Sequence, residues 1–172
     1  LMALVAVALC FRQGCPIIYS QERIGRHGKP FLIYKFRTMT SDAEATGERL
    51  TCPSETHQHV TPIGQFLRTH HLDELPQFWN VLVGDMSFVG YRPELSFYIA
   101  KIMEHDARYE QLYAIRPGIT SYATLHNGYT DSLEKMLKRL DYDLAYLEQR
   151  SLAEDFRILG MTFVSIVLGK KF

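Results

Sequence analysis

Apolar residues open the chain in a nearly unbroken run over 1–10, and beyond it they recur with periods of either two or 3.6. The opening run is shorter than the ~20 apolar residues a spanning helix needs. It also lacks the basic flank of a signal peptide. It reads as the end of a longer apolar segment, or else as a buried core helix. Residues 17–23 alternate, with Ile17, Tyr19 and Gln21 on one face, and residues 31–36 are rich in β-formers. The turn-like stretch 25–29 between them predicts a β-hairpin. Residues 40–58 are polar and read as a loop. Thr61-Pro62 has the form of an N-cap followed by proline at the first helical position, and Ile63, Phe66 and Leu67 continue with helical spacing.

A second helix is predicted from Asp73 through Leu75, Phe78, Trp79 and Leu82 to Gly84, with Pro76 in its first turn. Pro93 begins another helical pattern that runs to about Tyr113, and Arg116-Pro117-Gly118 reads as a turn. Over 132–148, Leu133, Met136, Leu137, Leu140, Leu144 and Leu147 share one face of an amphipathic helix. The last apolar run, 158–168, suits either the core or a membrane interface, with Lys170 and Lys171 at head-group level. The expected fold is α+β, mainly helical with one β-hairpin, in a single domain over 1–172. Its first eleven residues are read as the tail of a membrane helix, and 156–172 as an interfacial helix.

Composition changes this picture little. The 172 residues suit one domain, and 47% apolar content is ordinary for a packed core. Lys+Arg and Asp+Glu both number 19, so net charge selects no partner. The distribution is uneven, however: residues 1–40 carry six basic side chains against one acid, and residues 103–156 carry ten acids against six bases. Such asymmetry suits an anionic ligand or membrane surface near one end, or an ordinary solvated face. Zero net charge and the lack of a binding motif argue against nucleic acid. Cys10, Cys15 and Cys52 form no CxxC and no paired framework, which fits a reducing cytoplasmic setting.

Asp73-Glu74 is the first candidate for chemistry. A carboxylate at a helix start sits beside free N–H groups and the positive end of the helix dipole. It can attack phosphorus to form an acyl phosphate, and a neighbouring acid can hold Mg2+. The same pair would also serve as a plain N-cap. Lys35, Arg37, Arg68, Arg92 and Arg116 lie beside tight turns or strand ends, where guanidinium forks suit phosphate oxygens or surface ion pairs. His57, His59, His70 and His71 lack the spacing of a metal site.

In order along the chain come 19–25 (YSQERIG), Lys29-Pro30-Phe31, 34–39 (YKFRTM), 72–77 (LDELPQ), Trp79-Asn80-Val81-Leu82, Gly84-Asp85-Met86-Ser87, Val89-Gly90, Arg92-Pro93-Glu94 and 116–120 (RPGIT). This series resembles the bacterial sugar transferase family, the small monotopic phosphoglycosyl transferases whose catalytic domain larger priming transferases share. The resemblance is strong over 11–125 and weaker beyond. It implies transfer of a sugar 1-phosphate from a UDP-sugar to undecaprenyl phosphate, with release of UMP, at the cytoplasmic face of a bacterial inner membrane. Asp73 matches the family's nucleophile, and Glu74 matches the second acid, which would help hold Mg2+. Arg68 and Arg92 match basic positions near the active site, and Lys35, Arg37 and Arg116 are further matches for substrate binding. The family's N-terminal re-entrant helix would be represented only by its tail, over 1–11. Oligomeric state is left open, a homo-oligomer included. The competing reading is a catalytically inactive scaffold of a glycan-assembly complex. The chain departs from the family in carrying Ser121-Tyr122-Ala123-Thr124 where many members have Gly-Trp-Ala-Gln. It also has Tyr91 where proline is common, and His70-His71 where small polar residues are common.

Overall fold

The computed structural model describes residues 1–40, 59–128, 130 and 132–168. The expected 40–58 loop lies outside these residues except for Thr40, as do Lys170 and Lys171. Helix α1 (Met2–Gln13) leads into an antiparallel hairpin of β1 (Ile18–Ile24) and β2 (Pro30–Phe36), registered from Ile18 opposite Phe36 to Ile24 opposite Pro30. The hairpin is where the alternating pattern predicts it. Tyr19, Gln21 and Arg23 are half-buried while Ser20 and Glu22 are exposed. Its loop turns through His27 in the left-handed region (φ 60°).

Helix α2 (Pro62–Thr69) has the expected cap, Thr61 Oγ1 accepting from Gly64 N–H at 3.0 Å. The next segment differs from expectation. Asp73 does not start an α-helix; it lies in a 3-10 turn (Leu72–Glu74), and α3 (Gln77–Val83) begins after Pro76. Pro76 has no N–H to bond the Leu72 carbonyl. That carbonyl accepts from Leu75 N instead, and i→i+3 bonds carry the chain as far as Trp79. Gly84, with φ 90°, ends α3 at the expected place.

The pattern expected as one helix from Pro93 to Tyr113 is divided into α4 (Ser96–Met103) and a 3-10 segment (Ala107–Ala114), because Asp106 turns extended and caps Arg108 N–H. A second sheet was not anticipated. Strands β3 (Ser87–Val89) and β4 (Gly118–Thr120) pair in parallel, so the 116–118 turn leads directly into a strand. Short α5 (Tyr122–Asn127) follows, then α6 (Leu133–Gln149), the expected amphipathic helix, capped by Ser132, and α7 (Leu152–Val167). Helix α7 starts six residues before the apolar run because Ser151 caps Glu154 N–H.

The main core gathers Val89, Tyr91, Ile99, Ile102, Tyr109, Leu112, Ile115, Leu140, Leu144, Tyr146 and Ile158, from the β3 end, α4, the 3-10 segment, α6 and α7. A smaller cluster packs Val5 and Leu9 of α1 against Phe36 and Leu67. The opening run is therefore a helix with one buried stripe. Its other face, including Leu4 and Phe11, is exposed. Among the described residues no helix is long and apolar enough to cross a membrane.

Candidate active site

Asp73 and Glu74 emerge where three elements meet: the end of α2, the 3-10 turn and the outer edge of β2. The chain enters the turn through His71, a non-glycine residue held at φ 54°, which redirects it sharply after α2. Neither acid caps α3, whose N-cap position is Pro76 with no side-chain cap bond. Plain capping, the competing reading of the pair, is not what the structure shows.

Glu74 receives two cations. Lys35 Nζ donates to Glu74 Oε1 at 2.7 Å, and Arg92 lies 3.6 Å from the same oxygen. Burial opposes ionisation of Glu74, but Lys35, by charge and hydrogen bond, and Arg92 together hold its carboxyl down at about 2. Asp73, 8% exposed, behaves in the opposite sense. Burial lifts its carboxyl above the ordinary range and the Glu74 charge adds to the lift, while Lys35 and Arg68 pull against both. Burial also lowers His71, the next residue but one before Asp73. The dyad thus holds one firmly ionised carboxylate beside one whose negative charge is poorly solvated.

Neutral groups brace the elements around the dyad. Arg68 Nε donates to Thr38 Oγ1 at 2.9 Å, and the Thr38 carbonyl in turn accepts from Thr61 N–H at 3.1 Å. Gly64 packs so close to that carbonyl that a Cβ would stand 2.0 Å from it. Asn80 is fully buried. It accepts from Tyr34 N–H at 3.2 Å and donates to Leu32 C=O at 2.7 Å, fastening α3 to β2. A shallow depression is lined by Lys35, Glu74, Gln77 and Arg92, with Arg23 at its side. Gln77 is 2% exposed, and its amide nitrogen has no partner among the described residues.

Of the seven residues singled out from sequence, five come together: Asp73, Glu74, Lys35, Arg68 and Arg92. Arg37 is not brought to the dyad. It is buried, and its guanidinium donates to the Gln13 and Gly14 carbonyls at 2.7 and 2.8 Å, closing the end of α1. Arg116 is exposed on the turn before β4, and among the described residues its side chain makes no ion pair. Sequence reasoning missed the bracing roles of Thr38, Asn80 and Glu94. Glu94 joins Arg23 at 3.6 Å to Arg139 at 3.0 Å, linking the hairpin to α6 beside Arg92. The patterning of the chain carries no mark of these contacts, which appear only once distant segments are packed.

Among the described residues no group of three His, Cys, Asp or Glu is placed to hold a metal. Cys10 and Cys15 are free, with sulfurs 3.8 Å apart.

The bacterial sugar transferase profile matches residues 1–169. The chain belongs to that family. It is 37% identical over 179 residues to a UDP-glucose:undecaprenyl-phosphate glucose-1-phosphate transferase of Klebsiella pneumoniae, which covers 99% of this chain and 37% of that protein. It is 38% identical over 157 residues to an uncharacterized sugar transferase of Bacillus subtilis (strain 168), covering 91% of this chain and 73% of that one. An Aeromonas hydrophila protein named as a UDP-N-acetylgalactosamine-undecaprenyl-phosphate N-acetylgalactosaminephosphotransferase is 32% identical over 169 residues, 98% of this chain and 40% of its own length. The sugar transferase chain described here thus spans well under half of the first and third of these relatives.

Proposed function

We propose that this chain transfers a sugar 1-phosphate from a UDP-sugar to undecaprenyl phosphate at the cytoplasmic face of a bacterial inner membrane. Asp73 attacks the sugar-bearing β-phosphorus. The bond from that phosphorus to the bridging oxygen breaks, UMP leaves with the electron pair, and the phospho-sugar remains on the Asp73 carboxylate as an acyl phosphate. An oxygen of undecaprenyl phosphate then attacks the same phosphorus, and the Asp73 carboxylate departs unchanged. The observation that carries this reading is the pairing of a desolvated Asp73 with an ionised Glu74 under Lys35, Arg68 and Arg92. Poor solvation leaves the Asp73 carboxylate reactive, and the cations favour charge developing on phosphate oxygens.

The residues fit Mg2+ as a shared ion rather than a caged one. Two adjacent carboxylates, one of them ionised down to about pH 2, match a cation that takes one or two acids and completes its shell with water and substrate phosphates. Glu74 would hold it, and the bound ion would neutralise charge on the diphosphate. An inactive scaffold would have no use for a dyad surrounded in this way.

The relatives' names cite both glucose and N-acetylgalactosamine donors, so the decisive experiment uses a panel. UMP release is measured from several UDP-sugars with undecaprenyl phosphate and Mg2+ in detergent. Release is expected from at least one donor, and Asp73→Asn should lower it by at least about 10³-fold. Intact mass should show a phospho-sugar adduct when the acceptor is omitted. Release that persists in Asp73→Asn would refute the covalent route.

A further inference from the structure

A two-stranded hairpin leaves the outer edge of β2 without a strand to bond it. At this edge two of those groups are met by one side chain. The Asn80 amide has an acceptor and a donor in one plane, as a peptide group does. Its oxygen takes the Tyr34 N–H at 3.2 Å, and its nitrogen gives to the Leu32 carbonyl at 2.7 Å. The backbone carbonyl of the same residue accepts from Asp85 N and Met86 N at 2.9 and 3.1 Å, closing the end of α3. Asn80 is fully buried, so no water competes for these bonds.

Lys35, the residue after Tyr34, reaches Glu74 at 2.7 Å. Glu74 lies in the turn that leads into α3, and Asn80 sits in the middle of α3. The cation and the carboxylate are therefore referenced to a single residue that touches neither. We propose that Asn80 is a positioning residue, its amide standing in for a third strand and fixing Lys35 against Glu74 for phosphoryl transfer. The inference rests on the sugar-phosphate transfer proposed above.

Asn80→Ala removes both bonds, while Asn80→Asp keeps the acceptor for Tyr34 N–H and loses the donor to Leu32. A core variant, Leu112→Ala, controls for lost stability, because Leu112 is buried in the main cluster, which contains neither acid nor Asn80. With a donor identified by UMP release, Asn80→Ala should lose about 100-fold in kcat, with the donor KM within about threefold, since misplacement of about 1 Å is enough for such a loss. Asn80→Asp should fall between it and the wild type, and it serves as the test variant if the alanine form does not fold. Leu112→Ala should keep kcat within about threefold below its Tm. A kcat loss that merely follows Tm across all three variants would overturn the proposal. A second readout needs no substrate: the Lys35 ammonium resonance in 15N NMR, in detergent. It should be protected in the wild type and lost in Asn80→Ala, together with faster exchange of the Tyr34 amide. If no donor releases UMP from the wild type, the transfer reading fails, and the Lys35 resonance alone decides the positioning role. A resonance unchanged in Asn80→Ala overturns it.

Discussion

Burial pushes both members of the Asp73–Glu74 pair toward the neutral form, but Glu74 has two cations at one carboxylate oxygen. The consequence is a pH profile with a definite shape. In the proposed reaction Asp73 must be ionised to attack phosphorus, and its carboxyl lies above the ordinary range. The rate should therefore rise with pH through a midpoint above the usual aspartate value of about 3.9. Glu74, held at about 2, stays ionised throughout that interval, so the acid limb of kcat/KM should have unit slope. A slope of two would show both carboxylates titrating together and would contradict this charge assignment. The two acids were legible in the sequence because adjacent carboxylates before an apolar period stand out, and the ordered family motifs gave them a role. Arg37 illustrates the limit. An arginine at the end of a strand suits a phosphate or a carbonyl equally well, and only the placement of α1 shows that Gln13 and Gly14 take it. Asn80 was visible as part of a motif, but its task depends on the free edge of β2, which does not exist until the hairpin and α3 are packed together.

Elements with a strong local period were legible, and elements made by distant contact were not. The β1–β2 hairpin and α6 each repeat their pattern over several residues, and both appear as expected. The β3–β4 pair consists of two three-residue strands far apart in sequence. A glycine follows β3 and another opens β4, because the backbones approach too closely for side chains. A Cβ on Gly90 would lie 2.4 Å from the Arg116 carbonyl, and one on Gly118 would lie 2.2 Å from Gly90 N. Read locally, those glycines signal turns. The start of α7 was legible in principle, since Ser151 and Glu154 have the spacing of a capping box. The contact between α2 and the strand-end residue Thr38 offers a test at this scale. Gly64→Ala would drive a methyl group into the Thr38 carbonyl, which lies 2.0 Å from the ideal Cβ position. The expected loss is about 3 kcal/mol of stability, read by denaturant unfolding. Activity should fall as well, because Arg68 takes its bearing from Thr38. An alanine variant as stable as the wild type would show that α2 can slide without consequence.

Across the whole molecule, apolar side chains remain in solvent on separate elements. Phe11 is 88% exposed, Leu82 79% and Phe163 69%, and they belong to α1, α3 and α7. Large apolar side chains left exposed on three elements suit a lipid-facing role better than a fully solvated one. Under the proposed reaction, whose acceptor is a lipid, these faces should bind a bilayer. Phe163→Ser is expected to leave unfolding free energy within about 0.5 kcal/mol of wild type, because the ring packs on little. Sedimentation with phosphatidylglycerol-containing vesicles should nevertheless fall. Unchanged sedimentation would remove α7 from the contact. The site itself depends on parts of the chain far from the dyad motif. Glu94, two residues after Arg92, is gripped from one side by Arg23 and from the other by Arg139, which also donates to the Gly128 carbonyl. Asp143, buried beside Arg139 and pushed far toward its neutral form, completes that floor. Thr162 of α7 reaches Thr120 at 2.7 Å and braces the strand that follows Arg116. The family motifs end near residue 120, yet the structure that supports them does not. Anyone dividing this protein into portable modules would have to keep α6 and α7 with the family motifs, because a cut at the last motif would leave Glu94 without Arg139 and Thr120 without Thr162.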